Sequence, residues 1–188
     1  MKNNETGKRN MSAQVILYVI CAALVIFYCL DLWWGMNPSV GIEYKMYYIT
    51  HELTDWPGYG NLKYTYGTKE ICIERNENTI ANTSDVICAR KGQGFEKAAM
   101  TGTKSKGKDS YVYYLTEGEA HNAVLHVDIT EFNGDVVNVY AGDNCIGSVT
   151  AAGSYTFNAG MLKSGELIKI HFENNNSVYT LYSIELDA

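Results

Sequence analysis

The chain has 188 residues, of which 46% are hydrophobic and 19% are charged. This composition excludes wholesale disorder and limits the chain to one compact domain with one appendage. Lysine and arginine total 15 against 21 acidic residues, so the net charge is -6. Fifteen tyrosines accompany five phenylalanines. This bias is typical of half-exposed strands, where one end of a ring is dry and the other end is wet.

The first element predicted along the chain is a membrane-spanning helix. Residues 15–30 read VILYVICAALVIFYCL and carry no charge. Between residues 11 and 34 the single charged side chain is Asp31, and Trp33 and Trp34 follow it. About 20 apolar residues cross a bilayer, and tryptophans concentrate at the headgroup level. The sequence therefore predicts a transmembrane segment over residues 11–35, with the lipid bilayer as its partner.

The charges on either side of this segment predict its orientation. Residues 1–10 carry Lys2, Lys8 and Arg9 against Glu5, a sum of +2. From Asp31 onward, 12 basic residues oppose 20 acidic ones, a sum of -8. Basic residues beside an apolar segment stay on the cytoplasmic side. We therefore predict a single-pass protein of the cell membrane, with residues 1–10 cytoplasmic, an uncleaved signal anchor and an extracytoplasmic remainder.

After the anchor the pattern changes to short alternating runs. Leu125, Val127 and Ile129 fall on one face of a predicted strand, and His126 and Asp128 fall on the other. Short strands separated by glycine and asparagine turns predict a sandwich or a barrel. We predict a mainly β fold, an antiparallel jelly-roll-like sandwich over residues 62–188. The predicted strands cover residues 62–66, 69–75, 85–90, 110–115, 123–130, 135–141, 145–150, 154–157, 166–173 and 178–186.

Residues 36–61 form a membrane-proximal segment that is rich in aromatic side chains. Its rings are Tyr44, Tyr47, Tyr48, Trp56 and Tyr59. The segment is interpreted as a stalk, a first pair of strands or a cap over the sandwich. Aromatic rings of this kind stack on sugar rings, so these five residues are candidates for ligand binding. Packing at a surface near the membrane is the open alternative.

A basic stretch follows in the middle of the chain. Between residues 90 and 108 the single acidic residue is Glu96. This stretch could meet an anionic surface polymer or lipid headgroups, or form an ordinary solvated loop. A nucleic-acid partner is not predicted, because an exported domain rarely meets one. The candidate ligand-binding residues here are Arg90, Lys91, Lys104, Lys106 and Lys108.

The cysteines leave two readings open. Cys72 and Cys88 each lie centrally in a strand-like run, KEICIER and DVICAR. In an exported domain they form either a disulfide or two buried thiols. No cysteine or histidine spacing typical of zinc is present. The sequence predicts no cofactor, and structural calcium held by loop oxygens stays open.

The sequence contains no motif for an established type of catalysis. A nucleophile elbow, a P-loop, a dinucleotide fingerprint and an H-E-x-x-H pair are all missing from the 188 residues. His126 and Asp128 share one strand face, which would suit a small hydrolase but is more typical of a solvated surface. We therefore predict that the protein is not an enzyme.

Several short motifs form a recognisable pattern: residues 66–71 (YGTKEI), 94–96 (GFE), 103–112 (TKSKGKDSYV), 136–147, 166–172 and 181–186. This pattern resembles a recurring bacterial β-sandwich, a module that accompanies integral-membrane glycosyltransferases and surface-polysaccharide proteins of the YfhO type. The tryptophan of that module in G-T-W-[ST] falls on Lys104 here, and its usual host crosses the membrane many times.

The resemblance implies an accessory domain without catalysis of its own. We accordingly expect a non-catalytic carbohydrate-binding or scaffolding module in cell-surface glycan assembly, with an envelope glycan or a membrane protein as partner. The alternative function is a structural subunit of a surface filament or a membrane complex, in which the anchor helix packs against copies or partners.

Overall fold

The computed structural model describes residues 4–36, 39–73, 90–117, 121–163 and 165–188. The chain divides into two units, Met1–Val40 and Gly41–Ala188.

The first unit is a single α-helix, α1 (Asn4–Met36). The stretch Ala13–Met36 contains 24 residues and none of it is buried. At 1.5 Å per residue it is about 36 Å long, which exceeds the ~30 Å of a hydrocarbon core. It is therefore long and apolar enough to cross a membrane. A signal sequence near an N-terminus meets the same criteria.

The second unit begins with a short helical segment and continues as strands. The helical segment comprises α2 (Ile42–Tyr44) and a π-helical turn, Lys45–Ile49. The strands are β1 (Lys63–Tyr64), β2 (Glu70–Ile71), β3 (Thr103–Lys104), β4 (Asp109–Thr116), β5 (His121–Asn133), β6 (Val137–Ala141), β7 (Asn144–Val149), β8 (Gly153–Leu162), β9 (Leu167–Glu173) and β10 (Val178–Asp187).

These strands form two sheets that enclose one core. The first sheet has the order β1-β4-β9-β6-β7, and the second has the order β2-β10-β5-β8. β3 also pairs with β10, beside β2. All pairs are antiparallel except β1 with β4. The predicted fold class is confirmed: one N-terminal apolar helix precedes a mainly β, two-sheet sandwich.

The inner and outer faces of the strands follow the alternation in the sequence. In β5, Leu125 and Val127 are buried while His126 between them faces outward. In β4, Val112 and Tyr114 enter the core between the sheets, and Tyr111 points to the opposite face. A period of two places alternate side chains on opposite faces. The same alternation decides which side chains are available for a surface site.

Residues 41–62 cap the outer face of the first sheet. Met46, Leu53 and Leu62 are buried against Tyr113 of β4, with Leu115 packed beside them. This packing makes the aromatic-rich segment a cap, and it belongs to the same compact unit as the strands. The segment packs on the sheet because its apolar side chains are thereby removed from water.

The short strands differ most from the prediction. β1 and β2 contain two residues each, where the sequence predicted five and seven. β3 was not predicted, because two residues carry no periodic signal. The predicted strand over 85–90 lies outside the described residues except for Arg90.

A glycine allows residues 91–95 to run closely along the edge of β4. The amide of Gly92 donates a hydrogen bond to the carbonyl oxygen of Tyr111 at 2.7 Å. The amide of Tyr111 donates in turn to the carbonyl oxygen of Gln93 at 3.1 Å. Gly94 has φ +85°, and a Cβ atom there would overlap the carbonyl oxygen of Asp109. Gly107 has the same φ, but a Cβ atom there would have nothing within 4 Å.

We expect Gly94→Ala to destabilise the domain by at least ~2 kcal/mol more than Gly107→Ala. Both variants bear the cost of a left-handed residue, roughly 1–2 kcal/mol, and Gly94→Ala adds a backbone clash. Denaturant unfolding of the full chain in detergent, followed by circular dichroism, measures both. Equal losses in the two variants would contradict the close approach at Gly94.

Candidate functional site

The five aromatic residues singled out from the sequence lie together on the cap. Tyr48 contacts Tyr44 and Tyr47, with ring centroids 4.7 and 4.8 Å apart. Trp56 contacts Tyr47 at 5.7 Å, Tyr48 at 5.5 Å and Tyr59 at 5.2 Å. We call these five side chains the aromatic cluster.

Local backbone geometry brings the two halves of the cluster together. Tyr44 and Tyr48 are four residues apart in helical structure and therefore lie on one face. Gly58 and Gly60 have φ of +85° and +78°, so the chain turns sharply around Tyr59. The carboxylate of buried Glu43 accepts a hydrogen bond from the amide of Gly60 at 2.9 Å, which ties the helical turn to the loop.

The outermost rings of the cluster are open to solvent. Tyr59 is 75% exposed and Tyr48 is 52% exposed, while Trp56 between them is half-buried. Trp56 and Tyr59 meet edge to face at an interplanar angle of 85°. An edge-to-face pair cannot cover both of its ring faces, so ring surface stays available to a ligand. Tyr47 packs against the buried residues of the cap and so joins the cluster to them.

Arg90 is a buried structural residue, with 7% of its surface exposed. It forms an ion pair with Glu70 of β2, and both side chains are more than 90% buried. Its guanidinium also donates to the carbonyl oxygens of Leu62, at 3.3 Å, and Lys63. The guanidinium carbon lies 5.2 Å from the ring centroid of Tyr64. Its charge is therefore satisfied inside the fold.

Lys91 is likewise buried, with 3% of its surface exposed. Its ammonium group lies 3.3 Å from a carboxylate oxygen of Asp55 and donates to the carbonyl oxygen of Glu96 at 3.1 Å. The contact with Asp55 joins the loop 91–96 to the cap, and the contact with Glu96 closes the loop on itself. Arg90 and Lys91 thus differ from the other basic candidates in being buried.

Lys104, Lys106 and Lys108 are exposed. Lys104 lies on β3, and Lys106 and Lys108 lie in the connection from β3 to β4. The amide of Lys106 donates to the carbonyl oxygen of Gly94 at 2.7 Å, which fixes the backbone of this connection. Of the five basic candidates from the sequence, these three lysines lie on the surface.

The outer face of the second sheet has a polar cleft of about 240 Å³. Asp128 of β5 lies at its centre and accepts hydrogen bonds from Lys69, at 2.8 Å, and Ser183, at 2.5 Å. Hydrogen bonds from Lys69, Ser154 and Ser183 lower the pKa of Asp128 to about 2. The carboxyl group is therefore ionised at neutral pH.

His126 lines the same cleft but has a different partner. Its Nδ1 lies 3.1 Å from the hydroxyl of Thr156. Asp128 is hydrogen-bonded to Lys69 and to serines. Among the described contacts, His126 and Asp128 therefore do not form a coupled histidine–aspartate pair. General base catalysis needs a base that has a suitable pKa and lies within hydrogen-bond reach of the group from which it removes a proton. This geometry gives the hydrolase hypothesis no support.

Neither a Cys72–Cys88 disulfide nor a calcium site is assigned in the described residues. Cys72 is buried, whereas Cys88 lies outside the described residues. In the part of the chain that the structure describes, no group of three or more His, Cys, Asp or Glu side chains could hold a metal ion. The side chains there do not fit a carboxylate-rich calcium site.

Sequence reasoning missed residues that come together across strands. Lys69, Ser183 and Glu185 line the polar cleft with Asp128 and His126. A second row of rings, Tyr111, Tyr140 and His171, crosses the first sheet. Alternation could place each of these side chains on an outer face. The register that aligns them across neighbouring strands had no signal in the sequence.

Three solved structures to which this chain is similar are distant neighbours. No family model and no curated protein matches the chain. A carbohydrate-binding module CBM36 in complex with calcium and xylotriose aligns at 15% identity and a TM-score of 0.32, covering 50% of this chain and 87% of that one. The CBM36-1 domain of a multidomain xylanase, from the hindgut metagenome of Trinervitermes trinervoides, aligns at 15% identity and a TM-score of 0.36.

The xylanase alignment covers 64% of this chain and 96% of that domain. The insecticidal crystal protein Cry2Aa aligns at 9% identity and a TM-score of 0.29, over 53% of this chain and 19% of that one. At these values the chain is not assigned to any of these families. The resemblance to YfhO-type proteins stays a prediction.

We expect Glu70→Gln to lower the free energy of unfolding by about 3–5 kcal/mol, because it leaves the buried Arg90 charge without its counter-ion. Glu117→Gln is the matched control. It breaks the exposed pair between Lys63 and Glu117 and should cost no more than about 1 kcal/mol. Urea unfolding of the full chain in detergent measures both losses. Similar small losses in both variants would show that the buried pair is not needed.

We expect Asp128→Asn to destabilise the domain by about 1 kcal/mol at pH 7, since the carboxylate is partly solvated. Its folded pKa is lowered, so its contribution is full above the unfolded value of ~3.9 and is lost as the pH falls toward 2. The gap between the wild type and the variant should therefore close between about pH 4 and pH 2. Unfolding at stepped pH tests this, with Asp143→Asn in the exposed β6–β7 turn as control. A gap independent of pH would contradict the assignment.

Proposed function

We propose that this protein is a membrane-anchored, non-catalytic carbohydrate-binding module. The observation that carries the proposal is the aromatic cluster, in which five rings distant by up to 15 residues in sequence meet at 4.7–5.7 Å. Two of these rings are more than half exposed.

Half-exposed tyrosine and tryptophan rings suit a sugar because each has an apolar face and a polar group. The face packs against the C–H groups of a sugar ring, and the tyrosine hydroxyl exchanges hydrogen bonds with sugar hydroxyls. In this cluster the rings already contact one another, and Tyr47 also packs against the apolar core of the cap. Little side-chain freedom is therefore lost when a ligand binds, which favours affinity.

The exposed lysines supply a separate, electrostatic part of the proposal. Lys104, Lys106 and Lys108 leave three ammonium groups on one short stretch of chain. We assign them to long-range attraction of an anionic envelope polymer, an effect that salt would weaken. Arg90 and Lys91 have no part in it, since their charges are neutralised internally.

The helix α1 is assigned to anchoring. Its apolar stretch presents large hydrophobic side chains, among them Leu24, Phe27 and Trp34, at 62–75% exposure. Lipid would remove this surface from water. With the basic N-terminus inside, the domain would face the envelope, where glycans are assembled. A role in cell-surface glycan assembly follows from that location and from the ligand class.

The test is glycan binding by the full chain in lipid nanodiscs. The probes are linear neutral hexasaccharides (cellohexaose, xylohexaose and mannohexaose), the acidic hexagalacturonate and purified envelope polysaccharide. We expect Tyr48→Ala and Tyr59→Ala each to weaken binding about tenfold, equivalent to ~1.4 kcal/mol for one lost ring contact. Titration calorimetry gives the dissociation constants.

The matched control is Tyr28→Ala, which removes an equally exposed tyrosine from α1. It should leave glycan affinity unchanged. Wild-type affinity in both cluster variants would remove the cluster from the binding surface. Failure of every probe to bind the wild-type chain would refute the proposed function itself.

A further inference from the structure

A row of three rings crosses the first sheet beside the cap. Tyr111 on β4, His171 on β9 and Tyr140 on β6 occupy paired positions on adjacent strands. The ring centroids of Tyr111 and His171 are 4.8 Å apart, and those of His171 and Tyr140 are 5.3 Å apart. We call these three side chains the aromatic strip.

The rings of the strip overlap only in part. Their interplanar angles are 24° and 22°, so neighbouring rings are nearly parallel. Stacked carbon atoms touch at about 3.5–4.0 Å, and centroid separations beyond this require lateral offset. Each ring therefore leaves part of a face uncovered by the neighbouring ring. The ammonium group of Lys169 lies 4.3 Å from the ring centroid of Tyr111 and covers one face there, so His171 and Tyr140 supply most of the uncovered ring surface. All three side chains are half-buried, so the strip forms part of the surface.

A polar row borders the strip along its length. Asp109, Glu173 and Asn138 are paired on the same three strands, two residues from the rings. His171 Nε2 lies 2.8 Å from Asp109 Oδ1. Glu173 Oε2 accepts hydrogen bonds from Asn138 at 3.1 Å and from the Tyr140 hydroxyl at 3.2 Å. Rings and polar groups thus hold one another in place.

The border is suited to accept hydrogen bonds from hydroxyl groups. Hydrogen bonds from Asn138 and Tyr140 lower the pKa of Glu173, which keeps it a carboxylate. Among the described contacts, Asp109 uses Oδ1 alone, so Oδ2 can accept from a ligand. Ionised acceptors bind hydroxyls more strongly than neutral ones do, and they repel other anions.

The strip is elongated and runs across the strands. At one end Tyr111 packs, as Tyr47 does, against the apolar core of the cap, so the strip begins where the cap ends. At the other end Tyr140 is paired with Cys145 of β7, the last strand of the sheet. Cysteine is small, so this end is not closed by a bulky side chain. A linear ligand fits such a surface better than a compact one.

We propose that the aromatic strip and its polar border bind a neutral, extended oligosaccharide lying across β4, β9 and β6. The offset rings contact the apolar faces of successive sugars, and the carboxylates of Asp109 and Glu173 accept hydrogen bonds from their hydroxyls. The inference rests on the proposed function for the kind of ligand, but it uses residues outside the aromatic cluster.

The experiment measures binding of the same hexasaccharides to the full chain in nanodiscs. We expect Tyr140→Ala and His171→Ala each to weaken the binding of a neutral hexasaccharide at least fivefold. His126→Ala is the matched control, because it removes a histidine from the outer face of the other sheet. It should bind as the wild type does. Thermal melting of each variant verifies that the sandwich is folded.

The outcomes separate this inference from the proposed function. Weaker binding of a neutral hexasaccharide to the strip variants, with a smaller loss for hexagalacturonate, supports the strip. Wild-type affinity in folded Tyr140→Ala and His171→Ala overturns it, and loss in Tyr59→Ala alone would then leave the aromatic cluster as the site. An equal or larger loss of hexagalacturonate binding in the strip variants overturns the assignment to neutral glycans. If only melting temperatures fall, the rings serve the sheet and the inference fails.

Discussion

The ion pair between Glu70 and Arg90 is the interaction on which the arrangement of this domain depends. Glu70 belongs to the second sheet, and Arg90 binds the carbonyl oxygens of Leu62 and Lys63 at the start of the first. Removing two charges from water costs several kcal/mol per ion unless every hydrogen bond is made. Both sheets must therefore be in place together. Leu62 also belongs to the cap core, so the position of the cap depends on the same contact.

Regular alternation made much of the sandwich predictable. β5 follows a period of two over residues 123–129, and the structure buries Leu125, Val127 and Ile129 and places His126 and Asp128 on the outer face, as predicted. Two-residue strands such as β3 could not be predicted from the sequence, because β3 is defined by its pairing with β10. Likewise, Arg90 was predicted to be a surface charge, because its partner Glu70 lies 20 residues away in the sequence. The aromatic cluster was foreseeable from nearby residues, whereas the aromatic strip required the register of three strands.

The outer faces of the two sheets differ in chemistry. The first sheet carries the cap and the aromatic strip, so rings dominate its surface. The second sheet carries the cleft around Asp128, where hydroxyls and charged groups satisfy one another. A surface whose polar groups are already paired gains little from a ligand, while partly covered rings still have apolar area to bury. The asymmetry favours the first sheet as the side that meets a partner.

The position of β10 has a consequence for synthesis. β2, β3 and β5 all pair with this strand, although it covers residues 178–187. The second sheet cannot close until those residues have emerged, so earlier strands wait with unpaired edges. During this delay the exposed strand edges can pair with other chains, so the period before residues 178–187 are made is the one in which the domain is most prone to aggregate.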